Sequence, residues 1–318
     1  CMESKRSTTG EIHESTEGGR FRMDHPGRKK PGREGVPGYI MCPGGLIALL
    51  LLFFACTERI EIDTEPEFVR LVVDGALTTE AGPHQVRLSL TGDYFGGRPA
   101  PPVTGAEVSL LTAGRLLPLE ETSPGVYTTA SGLPGIPGEN YTLRVKTASP
   151  VGGYSEFEAS EALLSPVLLD SIQLGFYPDY SEEGMWEARG YFRDPPDAGW
   201  YRFLAYRNNV LITDTLTEWY VTDDLLFGGK YVNGWRVAFL QQHRPDETLS
   251  PGDTLTIRMD RISREYADFI LGAQAEMRGS WPLFTGPPAN VKGNVSNGAI
   301  GFFAAYPVSW ASAVVPSE

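Results

Sequence analysis

The sequence predicts a mainly β protein: an immunoglobulin- or transthyretin-like sandwich, then a second β-rich domain with one substantial α-helix. Three observations predict it. The chain holds 36 Gly and 25 Pro in 318 residues, and these fall between short apolar runs, as turns fall between strands. In the first half, apolar residues recur at every second position, the period of a half-buried strand. One later segment, 262–277, breaks that period with helical spacing.

The elements follow in order. Val86, Leu88 and Leu90 share one strand face, with Arg87 and Ser89 on the other. Ala106, Val108 and Leu110 repeat the pattern, as do Tyr141, Leu143 and Val145. Gly82-Pro83, Pro124-Gly125, Pro134-Gly135 and Pro137-Gly138 supply turns between them. About seven short strands in about a hundred residues suit a sandwich, placed at 66–162. The second domain, 163–318, opens with a strand at 168–177 in which Ile172, Leu174 and Phe176 alternate. Further strands are expected at 201–206, 210–213, 235–240 and 254–259, with Asn208-Asn209 as a hairpin turn between the first two. Ile262, Tyr266, Phe269, Ile270, Ala273 and Met277 mark the helix, and Asp260 is expected to cap its start. Two last strands are expected near 299–306 and 308–315. Asn297-Gly298 should turn the chain into a strand buried through Phe302 or Phe303.

Ahead of these elements lies an address. The apolar run 46–55 ends in Ala55-Cys56, and Glu58, Glu61, Asp63, Glu65 and Glu67 follow. Ten helical residues rise about 15 Å, against a hydrocarbon core of about 30 Å, so the run is too short to span a bilayer. It fits the apolar region of a signal peptide. Arg28, Lys29, Lys30 and Arg33 form the basic region, which places the start at Met23; Met41 is the alternative. The layout is that of a lipoprotein signal peptide: a leader over 1–55, Cys56 as the lipidated residue, and an acidic linker over 56–65. Cys1 and Cys42 lie upstream, so the mature chain holds Cys56 alone and forms no internal disulfide. The acidic linker is expected to favour display on the outer face, so that the protein sits in the outer membrane exposed at the cell surface.

Charge excludes one class of partner. The leader holds 8 of the 27 Lys+Arg and 6 of the 40 Asp+Glu, which leaves 19 basic and 34 acidic residues and a net charge of −15. Such a surface repels nucleic acid.

Chemistry is sparse. Beyond residue 55 the chain has two histidines, His84 and His243, in different expected domains. A triad around His243 is conceivable, but the run Gln241-Gln242-His243-Arg244 reads as a polar surface turn. The run from Gly132 to Gly138 contains Pro134 and Pro137, which lack the N–H groups a phosphate cradle needs. The acidic pairs Glu120-Glu121, Glu182-Glu183 and Asp223-Asp224 lack calcium-loop spacing and read as loop charges. No enzyme activity and no cofactor are expected. All six tryptophans, Trp186, Trp200, Trp219, Trp235, Trp281 and Trp310, lie in the second domain. They suit core packing or, alternatively, stacking on a glycan or peptide.

Several motifs now coincide. They are Leu71-Val72-Val73-Asp74-Gly75-Ala76-Leu77-Thr78, then Gly82-Pro83-His84, then Val103-Thr104-Gly105-Ala106, and Gly125-Val126-Tyr127. The most specific runs from Pro288-Ala289-Asn290-Val291-Lys292-Gly293-Asn294 through Ser296-Asn297-Gly298 to Gly301-Phe302-Phe303. Together they resemble the DUF4249-type family of Bacteroidetes outer-membrane lipoproteins, over nearly the whole chain after Cys56. The resemblance implies a surface or periplasm-facing lipoprotein associated with TonB-dependent receptors; with the anchor, the acidic β-rich body and the lack of catalytic clusters, the expectation is a non-enzymatic accessory protein working with such a receptor in nutrient uptake. The resemblance implies no catalytic residues.

Overall fold

The computed structural model describes residues 69–92, 99–130, 132–278 and 291–317. Cys56, the acidic linker and Trp281 lie outside the described residues. The protein is mainly β, and the described residues contain a single α-helix.

The first half forms β1 (Leu71–Thr78), β2 (Gln85–Leu90), β3 (Glu107–Thr112), β4 (Arg115–Ser123), β5 (Val126–Thr128), β6 (Asn140–Val151) and β7 (Tyr154–Ala162). The expected alternation sets their inner face. Val86, Leu88, Val108, Leu110, Tyr141, Leu143 and Val145 are all buried in one core. Pro124-Gly125 and Pro137-Gly138 lie in turns, and Gly125, between β4 and β5, has φ +71°; Pro134-Gly135 makes no turn, because the Gly135 N–H donates to the Thr78 carbonyl of β1 at 2.8 Å.

The second half forms β8 (Leu169–Tyr177), β9 (Met185–Arg193), β10 (Trp200–Arg207), β11 (Val210–Leu211), β12 (Tyr220–Asp223), β13 (Tyr231–Gln241), β14 (Thr254–Ile262), the helix α1 (Arg264–Met277), β15 (Ile300–Tyr306) and β16 (Val308–Val314). Asn208 and Asn209, at φ 51° and 67°, make the hairpin turn between β10 and β11. Strands β13, β9 and β8 form one sheet, and β11, β10, β14 and β16 another, with β12 also on β10. The two share a core that includes Phe192, Tyr201, Phe203, Val237, Leu255 and Ile257.

The helix comes where its spacing predicts, with a different cap. Asp260 does not cap it. Strand β14 runs on to Ile262, and the Ser263 hydroxyl accepts the Tyr266 N–H at 3.1 Å. Asp260 points instead into the protein, fully buried and held by two arginines.

Strand β15 belongs to the sheet of the first half. It runs parallel to β1, with Val72 opposite Ile300 and Thr78 opposite Tyr306, and completes an eight-stranded sheet in the order β15-β1-β2-β5-β4-β3-β6-β7. Its two faces serve two cores. Phe303 and Ala305 enter the first core, while Phe302, Ala304 and Tyr306 pack on Ile262, Ala267 and Ile270 beside α1. A strand covered on both faces reads as a continuous apolar run, as this one does.

The sheet curls into a near-barrel. Its closure is polar. The Asn294 side chain imitates a neighbouring strand: Oδ1 accepts the Phe303 N–H at 3.0 Å and Nδ2 donates to the Phe303 carbonyl at 2.8 Å. Ser296 then pairs with β7, its N–H donating to the Glu158 carbonyl at 2.9 Å and its hydroxyl accepting the Glu158 N–H at 2.8 Å. Asn297 adds a bond from Nδ2 to the Glu156 carbonyl at 2.7 Å. Residues 294–297 thus stitch the β15 edge to the β7 edge, which removes two edges at once. Two glycines let backbone meet backbone on either side of β15, Gly301 against β1 and Gly293 against β15 itself. A Cβ at Gly301, where φ is +100°, would lie 1.9 Å from the Val73 carbonyl oxygen, and one at Gly293 would lie 1.8 Å from that of Gly301. The turn at Asn297-Gly298 leads into Phe302 and Phe303, 4% and 0% exposed, as its sequence predicts.

Asn294→Ala strands both backbone groups of Phe303 at a part-buried site. A loss of about 2–3 kcal/mol is expected, read as a lower urea midpoint.

Glu161, on β7, lies beside this clasp, 3.5 Å from Asn294 Nδ2. Burial pushes its carboxyl up from 4.5 to about 7, and Glu265 adds to the rise, against the hydrogen bonds from Ser263 and Asn294. A carboxyl with a raised folded-state value favours the fold below the unfolded value and disfavours it as pH rises through the folded one. Stability should therefore fall between pH 4.5 and about 7. Glu161→Gln should flatten that slope and raise the urea midpoint at alkaline pH.

Candidate functional site

A buried ionic cluster lies between the strands of the second half. Arg202 of β10 and Asp260 of β14 are cross-strand partners. Asp260 Oδ2 accepts Arg202 Nε at 2.9 Å and Nη2 at 2.5 Å, while Oδ1 accepts Arg258 Nε at 2.7 Å. Aromatic rings enclose the pair: the Arg202 guanidinium lies 4.5 Å from the Trp219 ring centroid, 4.8 Å from Tyr306 and 5.5 Å from Tyr266. Burial works against charge on Arg202, but Tyr306, Asp260 and Tyr266 outweigh it and hold the cation. With Arg202 and Asp260 sealed from solvent and bonded to one another, the cluster joins β10, β14, α1 and β15 rather than meeting a substrate.

The other candidates also resolve into structure. His84 is buried; its Nε2 bonds the Leu133 carbonyl at 2.7 Å and its Nδ1 accepts the Thr78 N–H at 3.4 Å. His243 sits exposed in the turn after β13. Glu121 accepts the N–H groups of Gly105 and Gly125 at 2.8 and 3.0 Å, clamping a turn. Asp224 is buried and accepts the Gly199 N–H at 2.7 Å. Glu182 and Glu183 are exposed in the turn between β8 and β9. Among the described residues, no group of three or more His, Cys, Asp or Glu is placed to hold a metal ion.

The five tryptophans among the described residues pack. Trp186 lies 5.0 Å from Phe176 and Trp235 lies 5.1 Å from Phe227. Trp200 joins the core beside α1, and Trp219 covers Arg202. Trp310 is 40% exposed, lies against Tyr206, and its Nε1 donates to Glu80 at 2.9 Å. A cleft of 380 Å³ borders Trp219 and Tyr220, with Arg244, Glu247 and Arg278 also lining it.

A different surface stands out, and sequence reasoning missed it. Strand β9 is the middle of the β13-β9-β8 sheet. Its inner face is Trp186, Ala188, Gly190 and Phe192; its outer face is therefore Glu187, Arg189, Tyr191 and Arg193. Across it, Arg236 of β13 lies opposite Arg189, and Phe239 lies opposite Glu187. Irregularities between Asn233 and Trp235, and between Arg236 and Ala238, re-aim the side chains of β13. Glu187 organises the face. It is 3% exposed, and its two oxygens take Arg189 Nε at 2.5 Å and Arg236 Nε at 2.8 Å, while those arginines remain 42% and 58% exposed. Tyr177 bonds the same carboxylate at 3.3 Å. Further along, the Tyr191 hydroxyl donates to Gln173 at 2.6 Å, and Arg193 lies over the Tyr231 ring at 5.8 Å. The alternation from 186 to 193 was the available signal for this strand.

A family model described as a domain of unknown function (DUF4249) matches residues 57–311. The chain belongs to the DUF4249 family. No curated protein matches it. Among solved structures, this DUF4249 protein is faintly similar to a cytokine receptor complex, at 15% identity over 61% of this chain and 85% of that one, with a TM-score of 0.22. The adhesin InvE of Yersinia pseudotuberculosis is similar at 12% identity, over 62% of this chain and 56% of that one, with a TM-score of 0.19. A 1.5-MDa bacterial ice-binding adhesin is similar at 8% identity, over 78% of this chain and 64% of that one, with a TM-score of 0.20. These likenesses are too slight to carry an argument.

The cluster around Asp260 makes a sharp prediction. Asp260→Asn leaves Arg202 buried beside a neutral amide, and a loss of about 3–5 kcal/mol is expected by chemical denaturation. Glu187→Gln, whose arginines reach solvent, should cost far less.

Proposed function

We propose that this protein is a non-enzymatic, lipid-anchored accessory protein of the outer membrane. In this reading it is held through Cys56, displayed at the cell surface, and works beside a TonB-dependent receptor in nutrient uptake. One observation carries the reading: the apolar run ends at Ala55-Cys56, and the family match begins at residue 57. The boundary between leader and domain thus coincides with the cysteine that a lipoprotein signal would modify. Among the described residues no helix is long and apolar enough to cross a membrane. Two or more acyl chains, at about 0.8 kcal/mol per buried methylene, give stable attachment. The family resemblance adds a Bacteroidetes setting. The same reading treats the first half as an immunoglobulin- or transthyretin-like sandwich whose two sheets, β15-β1-β2-β5 and β4-β3-β6-β7, run together through the β4–β5 pairing.

A second reading, binding of a glycan or peptide, has a specific observation in its favour. Its support lies less in the packed tryptophans than in the outer face of β9, where arginine and tyrosine, residue types enriched at binding hot spots, include arginines about half exposed.

Cys56→Ser removes the thiol that accepts the lipid. The variant should leave the membrane fraction on a salt wash and fail to incorporate labelled fatty acid. Retention equal to that of the parent would refute the anchor.

A further inference from the structure

The outer face of the β13-β9-β8 sheet carries a charge pattern that folding alone does not favour. Like charges directly opposite one another across a sheet are destabilising. Here Arg189 faces Arg236 across the β9–β13 ladder, and Arg193 stands two alternations further along the same face, beyond Tyr191. One carboxylate, Glu187, offsets the facing pair. It is almost wholly enclosed, and it engages each of those arginines through Nε. Glu187 is engaged through Nε alone, so Arg236 keeps its terminal nitrogens out of that pair, while Arg189 also donates from Nη2 to the Tyr177 hydroxyl at 3.3 Å; both side chains stay about half exposed. The arginines are therefore oriented before any ligand arrives, which lowers the entropy lost on binding. Tyr191 is held by Gln173, and Gly234, at φ +88°, lies against it: a Cβ there would sit a tight 3.2 Å from the Tyr191 hydroxyl oxygen.

We infer that this face binds an acidic saccharide chain, with its carboxylates on Arg189, Arg236 and Arg193 and its sugar rings on Tyr191, Tyr231 and Phe239. The inference rests on the binding reading above and is independent of the anchor. Guanidinium groups match carboxylates in two-point geometry, which lysine does not. Aromatic plates lie between and beside the arginines: Arg193 lies over Tyr231, and Arg236 over Phe239 at 5.6 Å. Such rings suit the C–H faces of pyranose units, whereas an acidic peptide would offer them little. An extended polymer fits a sheet face better than a compact metabolite, which needs a cavity. The body's net charge of −15 does not oppose this partner as it opposes a membrane or a nucleic-acid duplex. A single saccharide strand meets the face alone, and charges farther away than about 8–10 Å are screened at physiological salt. A membrane or a duplex would meet the acidic flanks as well.

The test uses the full chain in detergent, titrated calorimetrically with an oligogalacturonate, a neutral cello-oligosaccharide of equal length and a poly-glutamate peptide. The oligogalacturonate should bind, the neutral sugar and the peptide far more weakly. Arg189→Ala with Arg236→Ala should weaken binding by at least about tenfold, as should Arg193→Ala, which leaves the Glu187 pair intact. Arg144→Ala, in an exposed pair with Glu158 on the first sheet, should change nothing. Thermal melts identify any variant that fails to fold, and Arg193→Ala then decides. Oligogalacturonate binding indifferent to all three arginines overturns the assignment of this face. Equal or tighter peptide binding overturns the saccharide class. Neutral-sugar binding that ignores the arginines overturns this inference while leaving the glycan reading in place; no binding to any probe overturns both.

Discussion

The parallel pairing of β15 with β1 is the contact on which the rest of the molecule depends. It places a late segment of the chain beside the first described strand. Strand β15 then has no free face: Phe303 and Ala305 fill one core, and Phe302, Ala304 and Tyr306 fill another. The helix has somewhere to dock because the second of these faces exists. The sheet can curl because residues 294–297 bridge β15 to β7. The glycines of that segment are explained by distance, since backbone meets backbone where a side chain would sit.

The Arg202–Asp260–Arg258 cluster sits just outside this contact and serves it. A buried ion pair is often no more stable than apolar residues of the same size, but a broken one is costly. Its value here is in register. Arg202 and Asp260 face each other across β10 and β14, and Tyr266 and Tyr306 bring α1 and β15 to the same guanidinium. A shift of any one of these elements would leave a charge without its partner. The outer face of β9 uses the same chemistry with opposite exposure: a hidden carboxylate holds arginines whose side chains stay about half exposed.

Much of this was legible from residues alone. The two-residue alternation of 86–90, 106–110 and 141–145 identifies the first core, and the spacing of 262–277 identifies the helix. Both signals report burial of one face, which tertiary packing rarely overrides. Asp260 misled because an acidic residue near a helix start is a common cap; Ser263, three residues later, does that work, and a strand end lies between them. Strand β9 escaped notice because its inner face is lightened to Ala188 and Gly190, where a Cβ on the glycine would lie 2.9 Å from Val237. With those positions small, the apolar alternation is faint and the charged residues dominate. The arginine face is therefore carried by the strand whose own core signal is weakest. The partner of β1 was not legible at all, because period two says that a strand is half-buried but not which strand lies beside it. The closing motif from Gly293 to Gly301 was recognisable as a signature before its work as a clasp was visible.

The β1–β15 pairing also sets an order of events for the growing chain. Val72 is synthesised long before Ile300, the residue it must meet. Until then, the first strand presents an open ladder edge, which invites pairing with other chains. Contacts of such high sequence separation slow folding, because loop entropy must be lost before they form. A nascent chain stopped short of Tyr306 would thus lack more than its last strands. It would also hold an incomplete first sheet, prone to aggregation and in need of a holding chaperone until synthesis is done.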